Sequence, residues 1–203
     1  TMLDEELLEY GRSMATTGVP SRRHGPDLPR TRAKPHSSAK EHMVEIVKQH
    51  WEDAQKGRVL FCQDNDSNLV HGIVAAPLAR VPKMNPDRTI SEKGRVIWDG
   101  RFQNVGCDKA DHPPAYQPKH ASVAKMIIFW YLQCPNVQVL ISKKDISEAF
   151  RWLWFIMAEI GLFSSDIPGK DFDIGGIVIA LYLVMPFGWS GAPGEWMVFA
   201  WLL

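Results

Sequence analysis

Val137-Gln138-Val139-Leu140-Ile141-Ser142-Lys143-Lys144-Asp145-Ile146-Ser147-Glu148-Ala149-Phe150 joins an apolar run to a carboxylate and then to an aromatic. The apolar, β-branched half predicts a buried strand over 137–142. The spacing of apolar residues over 146–160 predicts a helix. Asp145 thus stands where a strand hands over to a helix, and Phe150 follows five residues later. An Asp at such a junction is by itself most often a helix cap. A Phe beside Trp152 and Trp154 is by itself most often a core aromatic.

Downstream, Met185-Pro186-Phe187-Gly188-Trp189-Ser190-Gly191-Ala192-Pro193-Gly194-Glu195-Trp196 is a tight Pro/Gly loop that runs into an apolar helical segment. Glycines in such a loop let the backbone approach a ligand closely. A strand is expected over 177–185, after a Gly/Asp loop at 166–176. Upstream, 69–84 reads as strand broken at Pro77. Asn85-Pro86-Asp87-Arg88 is turn chemistry, and 95–98 is the returning strand. The result is a β-hairpin with a long charged tip, followed by Arg95-Val96-Ile97-Trp98-Asp99-Gly100-Arg101-Phe102-Gln103-Asn104 and an extended, Pro-rich 110–118.

In this order and spacing, the three segments resemble reverse transcriptases of retroelement type. Asp145-x-x-x-x-Phe150 resembles the first palm motif. Pro186-Phe187-Gly188-Trp189-x-Gly191-x-Pro193, with its Phe 42 residues after Asp145, looks like the next one. Arg95 followed by Asp99-x-Arg101-x-x-Asn104 resembles the fingers hairpin segment, and Asp111-His112-Pro113-Pro114 the extended piece after it. The resemblance covers about 70–203 and implies an α+β fold, fingers and partial palm, with an antiparallel sheet packed against helices. It divides the chain into an unassigned N-terminal arm and helix (1–68), a fingers-like region (69–135) and a partial palm (136–203).

It also implies an activity, template-directed nucleotidyl transfer to a primer 3′-hydroxyl by an RNA-directed DNA polymerase using two Mg²⁺ or Mn²⁺ ions. Asp145 is then the catalytic metal ligand. Phe150 is a steric gate against a ribose 2′-hydroxyl. Arg95, Phe187, Gly188 and Trp189 bind the nucleotide, and Asp99, Arg101 and Asn104 brace the hairpin. Lys83, Arg88 and Lys93 are further phosphate contacts near the tip. The implied partners are an RNA/DNA template-primer, deoxynucleotides and the remainder of a polymerase polyprotein. The family's paired aspartates do not occur in these 203 residues. The segment is therefore expected to be inactive alone, and the alternative is a non-catalytic retroelement remnant or a nucleic-acid-binding module.

The overall charge speaks against a nucleic-acid binder, while the rest of the composition is neutral on the point. The 23 basic and 23 acidic residues cancel, where nucleic-acid binders usually carry a basic surplus. Hydrophobic residues make up 45%, enough for a substantial core. Three scattered cysteines point to a reducing, intracellular setting rather than a disulfide framework. Cys107, His112 and His120 lack a Cys-x-x-Cys companion, so structural zinc is not expected. No apolar run is long enough to span a bilayer. Three more helices are expected. One lies over 3–10 and ends at Gly11. A second runs from Met43 to Ala54, opened by a Ser38–Glu41 capping box and closed by Gly57. A third lies over 119–133 and stops at Pro135. Residues 11–38 read as a linker or wrapped arm.

Overall fold

The computed structural model describes residues 5–63, 72–116, 119–142, 146–173 and 175–202. Asp145 lies outside the described residues. Five helices, α1 (Glu5–Thr17), α2 (Ser37–Lys40), α3 (Met43–Gln55), α4 (His120–Gln133) and α5 (Ala192–Leu202), accompany five strands. The strands are β1 (Val59–Gln63), β2 (Leu78–Met84), β3 (Ile90–Trp98), β4 (Ser164–Pro168) and β5 (Ile177–Tyr182). The architecture is α+β with antiparallel sheets, as expected.

β5 is the centre of a three-stranded sheet ordered β1-β5-β4. Val59 faces Tyr182 on one side and Ser164 faces Leu181 on the other. Its unbroken apolar run, Ile177-Val178-Ile179-Ala180-Leu181-Tyr182, is buried from Val178 onward, which suits a central strand covered on both faces. β2 and β3 form the expected hairpin, with Leu78 opposite Trp98. Its turn is closed by Asn85 N–H donating to Thr89 O at 2.8 Å, and by Asp87 Oδ1 accepting from Thr89 N–H and Oγ1. At the base, Trp98 Nε1 donates to Ser164 O across 3.1 Å, joining hairpin to sheet. One core holds Met14 and Ile46, Leu78 and Trp98, and Ile179 and Trp189. The three stretches separated by sequence reading therefore share their interior.

Several local expectations gave way to tertiary context. The strand expected over 137–142 is not formed. The segment is irregular, with Val137, Leu140 and Ile141 each more than 60% exposed. A strand exists only when its backbone groups find partners, and both edges of β5 are taken by β1 and β4. The expected pairing of 137–142 with 177–185 is thus replaced by one in which β5, the strand expected at 177–185, pairs with β1 and β4, neither of which sequence patterning singled out.

The helix expected over 146–160 is instead two short 3₁₀ turns, Ala149–Trp152 and Met157–Leu162. Between them Leu153-Trp154-Phe155 runs extended beside 183–185. Phe155 N–H donates to Leu183 O, and Met185 N–H to Leu153 O. Leu153 and Phe155 point inward and Trp154 outward, so a period of two prevails there over the helical one.

α1 continues through Gly11, which is buried, and stops before Gly18. The Ser38–Glu41 box is not made. Ser38 Oγ accepts from Arg80 N–H instead, and α3 begins after His42 without a side-chain cap. Residues 18–36 do form a wrapped arm. Val19 pairs with Phe155, Thr31 pairs with Val74, and His24 N–H donates to Gly106 O. α4 forms where expected but buries none of its residues. No helix among the described residues is long and apolar enough to cross a membrane.

Candidate functional site

The hairpin, the 146–151 turn and the Pro186–Phe187 loop surround a cavity of about 780 Å³. Arg95, Phe150 and Phe187, from the three separate sequence motifs, all line it. α3 places Glu45 so that one carboxylate holds the hairpin over the cavity. Its Oε2 accepts from Arg80 Nε at 2.8 Å and its Oε1 from Gly94 N–H at 2.7 Å. Arg95 follows Gly94 directly. Its guanidinium makes no hydrogen bond or ion pair with the described residues and is exposed. Among the described residues it is an unpaired cation lining the cavity. Lys83 lines the same space, while Arg88 and Lys93 are not among its lining residues.

Phe150 and Phe187 meet edge to face with ring centroids 5.3 Å apart. Phe187 is 52% exposed and Phe150 is half-buried against the core, so the pair forms a wall between core and cavity. The loop behind Phe187 is held by Asn104. Its Nδ2 donates to Gly188 O at 2.8 Å, and its Oδ1 accepts from Ser190 N–H at 3.0 Å. Asn104 therefore braces the Pro-Phe-Gly-Trp loop rather than the hairpin. Asp99 pairs with Arg101, which holds its carboxyl down to about 2, and with His36 at 3.0 Å. That ties the hairpin base to the arm.

Trp189 lies elsewhere. It is 2% exposed and packs edge-on against Phe155, Phe163 and His112. Of the two aromatics in the motif, Phe187 faces the cavity and Trp189 anchors the loop to the core.

Gly188 has φ +113, and a Cβ there would meet Trp98 O at 2.6 Å. Gly194 is as constrained, because a Cβ would overlap Pro113 O. These glycines serve close packing of the loop on the hairpin base and on the Pro-rich segment. Gly188→Ala is expected to cost about 2–4 kcal/mol through combined strain and overlap. A urea midpoint equal to that of the wild type would contradict this.

The floor of the cavity is polar and was not legible in the sequence. His50 Nδ1–H donates to Ile46 O, leaving Nε2 to accept from Tyr182 O–H at 2.7 Å. Burial disfavours the imidazolium and also the phenolate, so both side chains are held neutral. Beside them Arg151 pairs with Asp53 at 2.5 Å. Glu148 pairs with Arg58 at 2.5 Å, and that guanidinium holds the carboxyl below the usual carboxylate range. Among the described residues, the two carboxylates lining the cavity, Asp53 and Glu148, are thus both engaged by guanidinium groups.

Among the described residues no group of three His, Cys, Asp or Glu side chains could hold a metal ion. The described donors therefore do not fit a two-metal centre, and Asp145, the remaining expected ligand, lies outside them. Cys107 and His112 are also placed apart in role. Cys107 Sγ is 3.4 Å from Gln103 O, and His112 is bound to Glu195.

Behind the loop lies a second polar cluster. Glu195, fully buried on α5, accepts from Tyr10 O–H and from His112 Nδ1–H, each at 2.6 Å. Arg22 Nε stands 3.4 Å from the same carboxylate. Helix α1, the arm, the Pro-rich segment and α5 all converge on this one residue.

Neither the protein-family models nor the curated protein sequences give a match to this chain.

Proposed function

We propose that this chain is the fingers and partial palm of a reverse-transcriptase-like polymerase, and that its cavity receives a deoxynucleoside triphosphate. The observation that supports this is the convergence of Arg95, Phe150 and Phe187 on one cavity. They are spread over more than ninety positions of sequence, and each was singled out by a different motif. In this reading the free Arg95 guanidinium takes the triphosphate, as a bidentate partner for phosphate oxygens. Phe150 and Phe187 close around the sugar. Asn104 and Glu45 hold the loop and the hairpin at the right separation. Asp145, which lies outside the described residues, would be the residue to hold Mg²⁺ or Mn²⁺, and the ion would supply activation of the primer hydroxyl and neutralisation of the leaving pyrophosphate. The primer-template and the rest of a polyprotein are the partners this reading requires.

The alternative is a nucleic-acid-binding module without chemistry. The engagement of Asp53 and Glu148 by arginines favours it, since neither is free to ligate a metal.

Titration with the triphosphate of fluorescent 2-aminopurine deoxyriboside, in Mg²⁺, tests the first reading. The chain is expected to bind it. Arg95→Ala should weaken binding about tenfold, the scale of one lost charge-assisted contact. Binding that is unaffected by Arg95→Ala would refute the assignment. Primer extension on an RNA template separates the two readings. Incorporation abolished by Asp145→Ala supports the polymerase, whereas template binding without incorporation by the whole polyprotein supports the module.

A further inference from the structure

We propose that Arg58 and Asp53, in the N-terminal stretch left unmatched by the family resemblance, are positioning residues of the cavity. Through Glu148 and Arg151 they fix the turn that presents Phe150. The inference rests on the nucleotide reading above for its consequence, but its geometry is independent of it.

Glu148 is one of four non-glycine residues with positive φ among the described residues, at φ 56° and ψ 34°. A side chain in this left-handed region is disfavoured by about 1–2 kcal/mol, so surrounding contacts must hold it. Both carboxylate oxygens are engaged. Oε2 lies 2.5 Å from Arg58 Nη1, and Oε1 lies 3.9 Å from Arg151 Nη1. Arg151 in turn reaches Asp53 on α3 at 2.5 Å. Arg151 N–H donates to Glu148 O at 2.7 Å, which closes the turn. Trp152 adds a further tie, its Nε1 donating to Ser147 O at 3.1 Å while the Arg58 guanidinium lies over its ring at 5.8 Å.

Arg58 is itself fixed. Its N–H donates to Asp53 O, and its carbonyl accepts from Leu183 N–H, both at 2.9 Å. The α3–β1 elbow is thereby tied to the end of β5, and the arginine projects from that elbow to the turn. Phe150 stands two residues after Glu148, and Asp145 three before. An elbow held by the central sheet thus governs a wall of the cavity. The 1–68 region contributes to the site by clamping this turn, although it carries no motif of its own.

Two readouts test this on the whole chain. The first needs no nucleotide. In Arg58→Ala, hydrogen exchange at the Arg151 and Leu153 amides should accelerate about tenfold relative to β5 amides. Unchanged protection of the turn would overturn the proposal. The second compares affinity for 2-aminopurine deoxyriboside and riboside triphosphates in Mg²⁺.

Arg58→Ala and Glu148→Gly should both move the deoxy-to-ribo ratio toward one. The reciprocal pair Arg58→Glu with Glu148→Arg should recover part of it. Glu148→Gly is informative because glycine accepts the left-handed backbone freely. If it behaves as wild type, the ion pair positions nothing and the proposal falls. Arg32→Ala removes an ion pair to Asp166 on β4, away from the cavity. It controls for general destabilisation and should leave the ratio alone. If Phe150→Val shifts the ratio while Arg58→Ala does not, positioning is refuted and the nucleotide site stands. If the wild-type chain binds neither nucleotide, the nucleotide reading fails, and the exchange data alone decide the clamp.

Discussion

Glu195→Ala should destabilise the protein by about 3–5 kcal/mol, the range for breaking a buried ionic pair from one side. The carboxylate is fully buried, and removing it strips the acceptor from Tyr10 O–H and from His112 Nδ1–H at once. It also leaves the Arg22 guanidinium beside the Tyr10 ring without its anion. His112 Nε2 is buried with no hydrogen-bond partner among the described residues, so it does not compensate. For a chain of this length, about 2–4 °C are lost per kcal/mol, so Tm should fall on the order of 10 °C. Glu195→Gln keeps one acceptor oxygen and should lose roughly half as much. Denaturant unfolding of both variants is the check. A loss below about 1 kcal/mol in Glu195→Ala would mean that the four groups are solvated rather than mutually buried.

Phe150→Val should relax sugar selection without comparable loss of deoxynucleotide use. Phe150 is half-buried and leans edge-on against the exposed Phe187 ring, so its free face belongs to the cavity. If the cavity receives a nucleotide as proposed, a bulky ring in that place leaves room for a deoxyribose and excludes a 2′-hydroxyl. Steric exclusion of this kind is worth several kcal/mol, and each ~1.4 kcal/mol is a tenfold change in selectivity. Ten- to hundredfold better acceptance of ribonucleotides is the expected result. The measurement is the deoxy-to-ribo ratio of kcat/KM in a polymerase that contains this chain, or of Kd in the chain itself. If Phe150 served only packing, truncation would open a gap beneath Phe187 and lower Tm with the ratio unchanged. That outcome would remove Phe150 from the gate.

The two variants probe opposite faces of one loop, and the loop displays the limits of sequence reading. Phe187 and Trp189 are two residues apart and equally aromatic. Nothing local distinguishes the one that walls the cavity from the one that anchors in the core. Packing of Trp189 against Phe155 and Phe163 decides it. The ion pair of Arg58 and Glu148 spans 90 positions and has no periodicity to reveal it. Ser38 is a further case: expected to open a helix in a capping box with Glu41, it is spent instead on Arg80 of the hairpin.

What the sequence determined by itself was local. Turn chemistry at 85–88 with flanking β-formers fixed the β2–β3 hairpin. Pro135 and the apolar run before it bounded α4, and β-branched density marked β5. The loop glycines suggested close approach to a ligand, but Gly188 and Gly194 serve close packing on Trp98 and Pro113 of the same chain. Tertiary structure decided everything that depends on a partner. Residues 137–142 carry the composition of a strand but stay irregular, since β1 and β4 occupy the edges of β5. Residues 146–160 carry helical spacing but unwind into two turns, because Leu153 and Phe155 gain more by docking beside 183–185. Backbone hydrogen bonds in a helix close within a segment, so a segment can declare them. Those of a strand, and the ion pairs of a cavity floor, close only across the chain.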